Sequence, residues 1–177
     1  MPARPFLLLL CCLLLASPGR SFAQTAPDWP RNPETGRVEF VGTIPWPTPT
    51  PTLQQQQTLV RRWFLRKLTV SPGARARRPA EATFAGLPNH AYLDSTGYQP
   101  GPSSGGVPTR EEVTWRLRYA VQLTATPAGL AYRLSEFEIA EVVFDASTSD
   151  QLEAQLPHYP TQLAGFHRRL RNALAGW

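Results

Sequence analysis

The strongest constraint on the fold is the strict alternation in "VTWRLRYAVQLT", residues 113–124. Its apolar residues all have odd numbers: Val113, Trp115, Leu117, Tyr119, Val121 and Leu123. The even positions between them are polar or charged, apart from Ala120. Because successive side chains of a strand point to opposite faces, this pattern predicts a long β-strand with one buried face and one solvated face.

The next segment predicts a turn at "TPAG", residues 126–129, and a returning strand that contains "YRLSEFEIAEV", residues 132–142. The returning strand changes phase, since its apolar residues move from even to odd numbers after Leu134. With Ala125 opposite Leu130, one extra residue at Ser135–Glu136 restores the pairing, which predicts a β-bulge. The resulting apolar pairs are Leu123–Tyr132, Val121–Leu134, Tyr119–Phe137 and Leu117–Ile139.

Three glutamates, Glu136, Glu138 and Glu141, lie around this bulge. A carboxylate metal site needs several ligands that converge on one point, and the nearby sequence supplies no others. The same register places Arg118 opposite Glu138. We therefore predict a cross-strand ion pair on the solvated face, and no metal or cofactor.

The remaining segments supply further elements. An alternating strand is predicted at 37–44, followed by a proline-rich linker at 45–51. Thr52 and Gln55 form a capping-box pattern at the start of a helix with an apolar stripe that ends at Leu68. A second strand is predicted at 81–87 and a long flexible loop, rich in Pro, Gly and Ser, at 88–111. The C-terminus predicts a short helix to about Leu156 and a longer one over 160–175.

These elements predict an α+β fold, in which a curved antiparallel sheet grips a helix. The predicted order is β-α-β-β-β followed by C-terminal helices. The domain is expected to span 36–145, after an irregular tail at 24–35, with a helical segment at 146–177 packed on it.

The N-terminus predicts export. A short apolar run ends at "SFA", residues 21–23, which is typical of a signal peptide at 1–23 with cleavage after Ala23. Cys11 follows Leu10 rather than a small residue, so a lipoprotein is not expected. We predict a periplasmic or secreted protein with no transmembrane anchor after cleavage. The chain has 2 cysteines, both in this leader, so a mature chain without disulfides or thiolate sites is expected.

The charge balance does not indicate nucleic-acid binding. The chain has 18 basic and 13 acidic side chains, and the acidic residues are interleaved with the arginines. This pattern is typical of a solvated surface.

The chain resembles a family of exported bacterial proteins known as a domain of unknown function with a TATA-binding-protein-like (TBP-like) fold. The resemblance rests on "ETGRVEFVGTI", "RRWF", "EATFAG" and "WRLRYAVQLTATPAGLAYRLSEFEI", and it extends from Glu34 to Glu141. It implies a curved antiparallel sheet that grips a helix. It carries over no catalytic residues, and a TBP-like fold by itself does not imply nucleic-acid binding.

Two functions from different classes remain open. The sequence favours a non-catalytic binding or protein-interaction module, because it contains no recognised catalytic motif. Its partner would be an envelope protein or a small apolar ligand. The candidate cavity is expected to be lined by Trp63, Phe64, Trp115, Tyr119 and Phe137. The candidate interaction face is expected to carry Arg116, Arg118 and Glu138. The alternative is a small secreted hydrolase that uses His90, Asp94 and Ser95 of the long loop.

Overall fold

The computed structural model describes residues 27–68, 84–101, 103, 105–106, 109–142 and 149–177. The predicted signal peptide and its cleavage after Ala23 lie outside these residues. Within the described ranges, no helix has the length and apolar character needed to cross a membrane.

The described part of the chain has an α+β fold with a curled antiparallel sheet. The strands are β1 (Phe40–Pro45), β2 (His90–Pro100), β3 (Arg110–Thr126), β4 (Gly129–Glu141) and β5 (Ser149–Gln151). The helices are α1 (Leu53–Trp63), α2 (Leu152–Gln155) and α3 (Pro160–Leu174), with a π-helical turn at Phe64–Leu68 and a 3-10 turn at Phe84–Gly86. The strand order is β1-β4-β3-β2, and β5 pairs with the second half of β4.

The predicted register between β3 and β4 is confirmed. Val121 pairs with Leu134 before the irregularity, and Leu117 pairs with Ile139 after it. Glu136, at the predicted bulge, has a φ of 53°, and the register shifts between Arg118 and Ala120 on the partner strand. The rings of Tyr119 and Phe137 stack at 5.3 Å. The extra residue thus keeps the apolar side chains of both halves of β4 on one face.

The helices cover that face of the sheet, which we call the inner face. The capping box of Thr52 and Gln55 at the start of α1 is confirmed, as are the two C-terminal helices. Leu163, Phe166 and Leu170 of α3 are buried in the same core as the odd-numbered residues of β3. The opposite, uncovered face of the sheet is called the outer face.

Two predictions between residues 81 and 111 are wrong. Residues 84–86 of the predicted strand at 81–87 form a 3-10 turn, and residues 81–83 lie outside the described part of the chain. The predicted loop at 88–111 contains β2, which pairs with β3 from His90–Ala120 to Pro100–Arg110. Backbone pairing to a long neighbouring strand overrides the weak strand propensity of this segment, in which Ala91 and Leu93 are buried apolar residues.

The predicted tail and linker are also held by the core. Trp29 is only 4% exposed, and its ring packs against Phe40 and Phe137. In the proline-rich segment, Trp46 is buried, stacks on Trp177 at 5.2 Å and donates its indole N–H to the carbonyl oxygen of Thr126. Each tryptophan therefore anchors a segment to the core, although the amino-acid composition of that segment does not predict packing.

The positive φ of Glu136 at the bulge provides a test of the register between β3 and β4. Glu136→Gly should leave the free energy of unfolding unchanged or raise it by up to about 1 kcal/mol, because glycine adopts positive φ without strain. Glu136→Val should lower it by more than about 1 kcal/mol, although valine normally favours strands. Urea denaturation of both variants measures the difference.

The matched control is Glu112→Gly, since Glu112 is an exposed residue of β3 without positive φ. There glycine should destabilise the protein by roughly 0.5–1 kcal/mol. Equal destabilisation by glycine at both positions would contradict the bulge geometry.

Candidate functional site

The five aromatic residues of the predicted cavity are part of the core. Trp63, Phe64, Trp115, Tyr119 and Phe137 are each at most 3% exposed. The indole N–H of Trp63 donates to the carbonyl oxygen of Ala173 at 2.9 Å, and the hydroxyl of Tyr119 donates to that of Leu68 at 2.8 Å. Burial raises the pKa of Tyr119 far above its usual range. These polar atoms are satisfied inside the protein, which is what a packed core requires.

The predicted interaction face does bring its residues together on the outer face. Arg118 and Glu138 are opposite each other and their charged groups are 3.8 Å apart. Arg116 forms a bidentate pair with Asp94, at 2.7 and 2.8 Å, and its guanidinium lies 4.9 Å from the centre of the Tyr92 ring. The hydrogen bonds that the guanidinium donates to Asp94 raise the pKa of Arg116, so this cation stays charged. The sequence missed Tyr92 and Asp94 as partners because β2 was expected to be a loop.

The residues of the alternative hydrolase are not placed as a catalytic group. His90, Asp94 and Ser95 all lie in β2, where Asp94 is already bound to Arg116. Ser95 points to the opposite face of the strand from Asp94. Nδ1 of His90 contacts the side-chain oxygen of Asn89 at 2.9 Å. A nucleophile, a base and an orienting group must lie within hydrogen-bonding reach of one another, and these three do not.

A cleft of about 320 Å³ opens between β1, β4 and the C-terminal end of α3. Its walls include Pro30, Phe40, Val41, Tyr132, Arg171 and Leu174. Most of these side chains are apolar, and Tyr132 and Arg171 add one hydroxyl and one cation. Two smaller clefts, of about 150 Å³ each, lie near Trp29 and at the bulge, and Phe137 lines the latter.

The position of the Tyr132 ring in this cleft depends on a glycine in β1. Gly42 pairs with Tyr132 across the β1–β4 ladder, and a Cβ atom at Gly42 would lie 2.5 Å from the tyrosine hydroxyl. Only glycine therefore allows the ring to lie against the backbone of β1. Burial raises the pKa of Tyr132, so its hydroxyl remains a hydrogen-bond donor at neutral pH.

The positively charged group of this cleft, the Arg171 guanidinium, is on α3. Arg171 follows His167 by one helical turn, so both project from the same side of α3. The ring of His167 packs against Trp29 at 5.0 Å and Phe40 at 5.9 Å, while Arg171 is exposed at the cleft. Within the described ranges, the Arg171 guanidinium has no ion pair and no hydrogen bond.

Comparisons with known proteins do not identify the site. No protein-family model, curated protein or solved structure matches this chain. Among the residues that the structure describes, no group of three or more His, Cys, Asp and Glu side chains is placed to hold a metal ion.

The burial of His167 makes stability depend on pH. Desolvation lowers its pKa, the nearby charge of Arg171 lowers it further, and Asp28 opposes both effects. The unfolded chain, with a histidine pKa of about 6.5, then binds a proton more readily than the folded protein does. The free energy of unfolding should therefore fall as the pH drops from about 6.5 towards 5.

Urea denaturation at pH 7, 6 and 5 measures this slope. His167→Phe keeps an aromatic ring beside Trp29 and should flatten the slope between pH 7 and 5. The control His90→Phe removes a partly exposed histidine from β2 and should leave the slope unchanged. An unchanged slope in His167→Phe would show that another group is responsible.

Proposed function

We propose that this chain is an exported, non-catalytic binding module of the cell envelope, whose ligand is small and largely apolar. We also propose that its sheet is of the TBP-like type. The curled antiparallel sheet with helices on its inner face supports that assignment. The leader-like segment at 1–23 supports export.

The cleft is the observation that carries the binding role. Ligand pockets of proteins typically have volumes of about 300–1,000 Å³ and apolar walls with a few fixed polar groups. The cleft of about 320 Å³ between β1, β4 and α3 reaches the lower end of this range, and its lining combines apolar side chains with the Tyr132 hydroxyl and the Arg171 guanidinium. The apolar ligand expected from the sequence is therefore assigned to this cleft and not to the buried aromatic core.

A neutral fluorescent probe, N-phenyl-1-naphthylamine, tests this assignment. The chain from Gln24 onward should bind it with saturable fluorescence enhancement. Ala175 is exposed and lines the cleft, so Ala175→Trp should fill the cleft at little cost in stability. We expect at least about tenfold weaker binding, which corresponds to about 1.4 kcal/mol.

Asn172→Trp is the matched control, because Asn172 is exposed on α3 and does not line the cleft. Its affinity for the probe should stay close to that of the unmodified protein. Equal affinity in the two tryptophan variants, or no binding to the unmodified protein, would contradict the proposed function.

A second candidate is protein docking on the outer face. Arg116 is held between Asp94 and Tyr92, while Arg118 is 58% exposed at its side chain and Tyr98 is 66% exposed. Arginine and tyrosine are enriched in protein interfaces, and fixed side chains lose little entropy on binding.

For this second candidate, Arg118→Glu should remove a specific envelope protein from those that co-purify with the chain, as identified by mass spectrometry. Gln122→Glu adds a negative charge on the same strand and face and should have no such effect. An identical set of co-purified proteins from both variants would count against docking at Arg118.

A further inference from the structure

The cleft differs from its two neighbours in charge. Among the described residues that line it, Arg171 is the charged one, and none is Asp or Glu. The cleft at the bulge is lined by Glu136, Glu138 and Glu153 against Arg37, and the cleft near Trp29 contains both Asp28 and Arg31. Of these three clefts, the first is therefore the one whose described lining carries a positive charge with no acidic residue beside it.

Three other arginines of the sheet and of α3 already have partners. Arg133 is paired with Glu39, Arg116 with Asp94, and Arg169 donates to the carbonyl oxygen of Asp94. Arg171 has no such partner among the described residues, yet it lies beside Tyr132 at the cleft. A guanidinium and a hydroxyl at one site are two donors for the same acceptor group.

The C-terminal end of α3 affects anion binding at this cleft, because helix C-termini carry partial negative charge that repels anions. Here α1 and the following π-helical turn donate to one carbonyl group in the last turn of α3 and to one just beyond its end. The indole N–H of Trp63 donates to Ala173, and the Lys67 ammonium donates to Gly176 at 2.8 Å. The repulsion of an anion at the cleft is thereby reduced, and the ammonium adds a second positive charge to this end of the helix.

We infer that the ligand of this cleft carries a carboxylate at one end of an unbranched apolar chain. Arg171 and the Tyr132 hydroxyl bind the carboxylate, and Phe40, Leu174 and Pro30 contact the chain. This inference rests on the proposed function, since it names the class of ligand for the same cleft. Gly42 fixes the position of the tyrosine, so the hydroxyl is placed before the ligand arrives.

Displacement of N-phenyl-1-naphthylamine by matched eight-carbon ligands tests the inference. The unmodified chain should bind octanoate about tenfold or more tightly than octan-1-ol, and the preference should weaken as salt is added. Arg171→Gln should remove the preference for octanoate while leaving the affinity for octan-1-ol unchanged. Tyr132→Phe keeps the ring against Gly42 and should weaken octanoate binding by a smaller factor.

The control is Arg168→Gln, because Arg168 is exposed on the same helix and does not line the cleft. It removes the same charge from the protein and should keep the preference for octanoate. Octyl sulfate and octylamine complete the series, and both should bind less tightly than octanoate.

The outcomes separate this inference from the proposed function. If octan-1-ol binds as tightly as octanoate, or if Arg171→Gln keeps the preference for octanoate, the assignment of a carboxylate is wrong. The proposed binding of an apolar ligand in the cleft is then unaffected. Tighter binding of octyl sulfate or octylamine overturns the choice of carboxylate in the same way. If neither the probe nor any eight-carbon ligand binds, the proposed function and this inference fail together.

Discussion

The fold depends on the register of β4, which pairs with β3 along one side and with both β1 and β5 along the other. β1 pairs as far as Leu134 and β5 begins at Glu138, so the bulge at Glu136 lies between the two partners. A slip of one residue would turn Phe137 and Ile139 to the solvated face. The same register places Tyr132 on Gly42 and thereby shapes the cleft.

The sequence predicts those parts of the fold in which each local pattern agrees with the tertiary environment. The alternation in β3, the phase change at Ser135–Glu136 and the capping box at Thr52 all have a direct counterpart in the structure. β2 has few apolar residues, and its backbone is ordered by a neighbouring strand that pattern analysis of the segment alone does not take into account. Trp29 likewise depends on aromatic partners that are distant in sequence.

The candidate site was harder to predict from the sequence than the fold, because its residues come from three separate elements. The glycine in "FVGTI" is a usable signal, since a glycine inside a strand often marks a close approach. Arg171 gives no comparable signal, because it resembles the other arginines on the solvated side of α3. The predicted cavity was assigned to aromatic residues, and those residues pack with one another and with backbone carbonyl groups in the core.

A crystal structure of the chain from Gln24 onward with bound octanoate would show where the ligand lies. We expect the carboxylate in the cleft, about 2.7–3.0 Å from the Arg171 guanidinium and the Tyr132 hydroxyl, with the alkyl chain against Phe40 and Leu174. Octanoate seated elsewhere, on the outer face or among the core aromatic residues, or a cleft closed by the protein's own side chains, would contradict it.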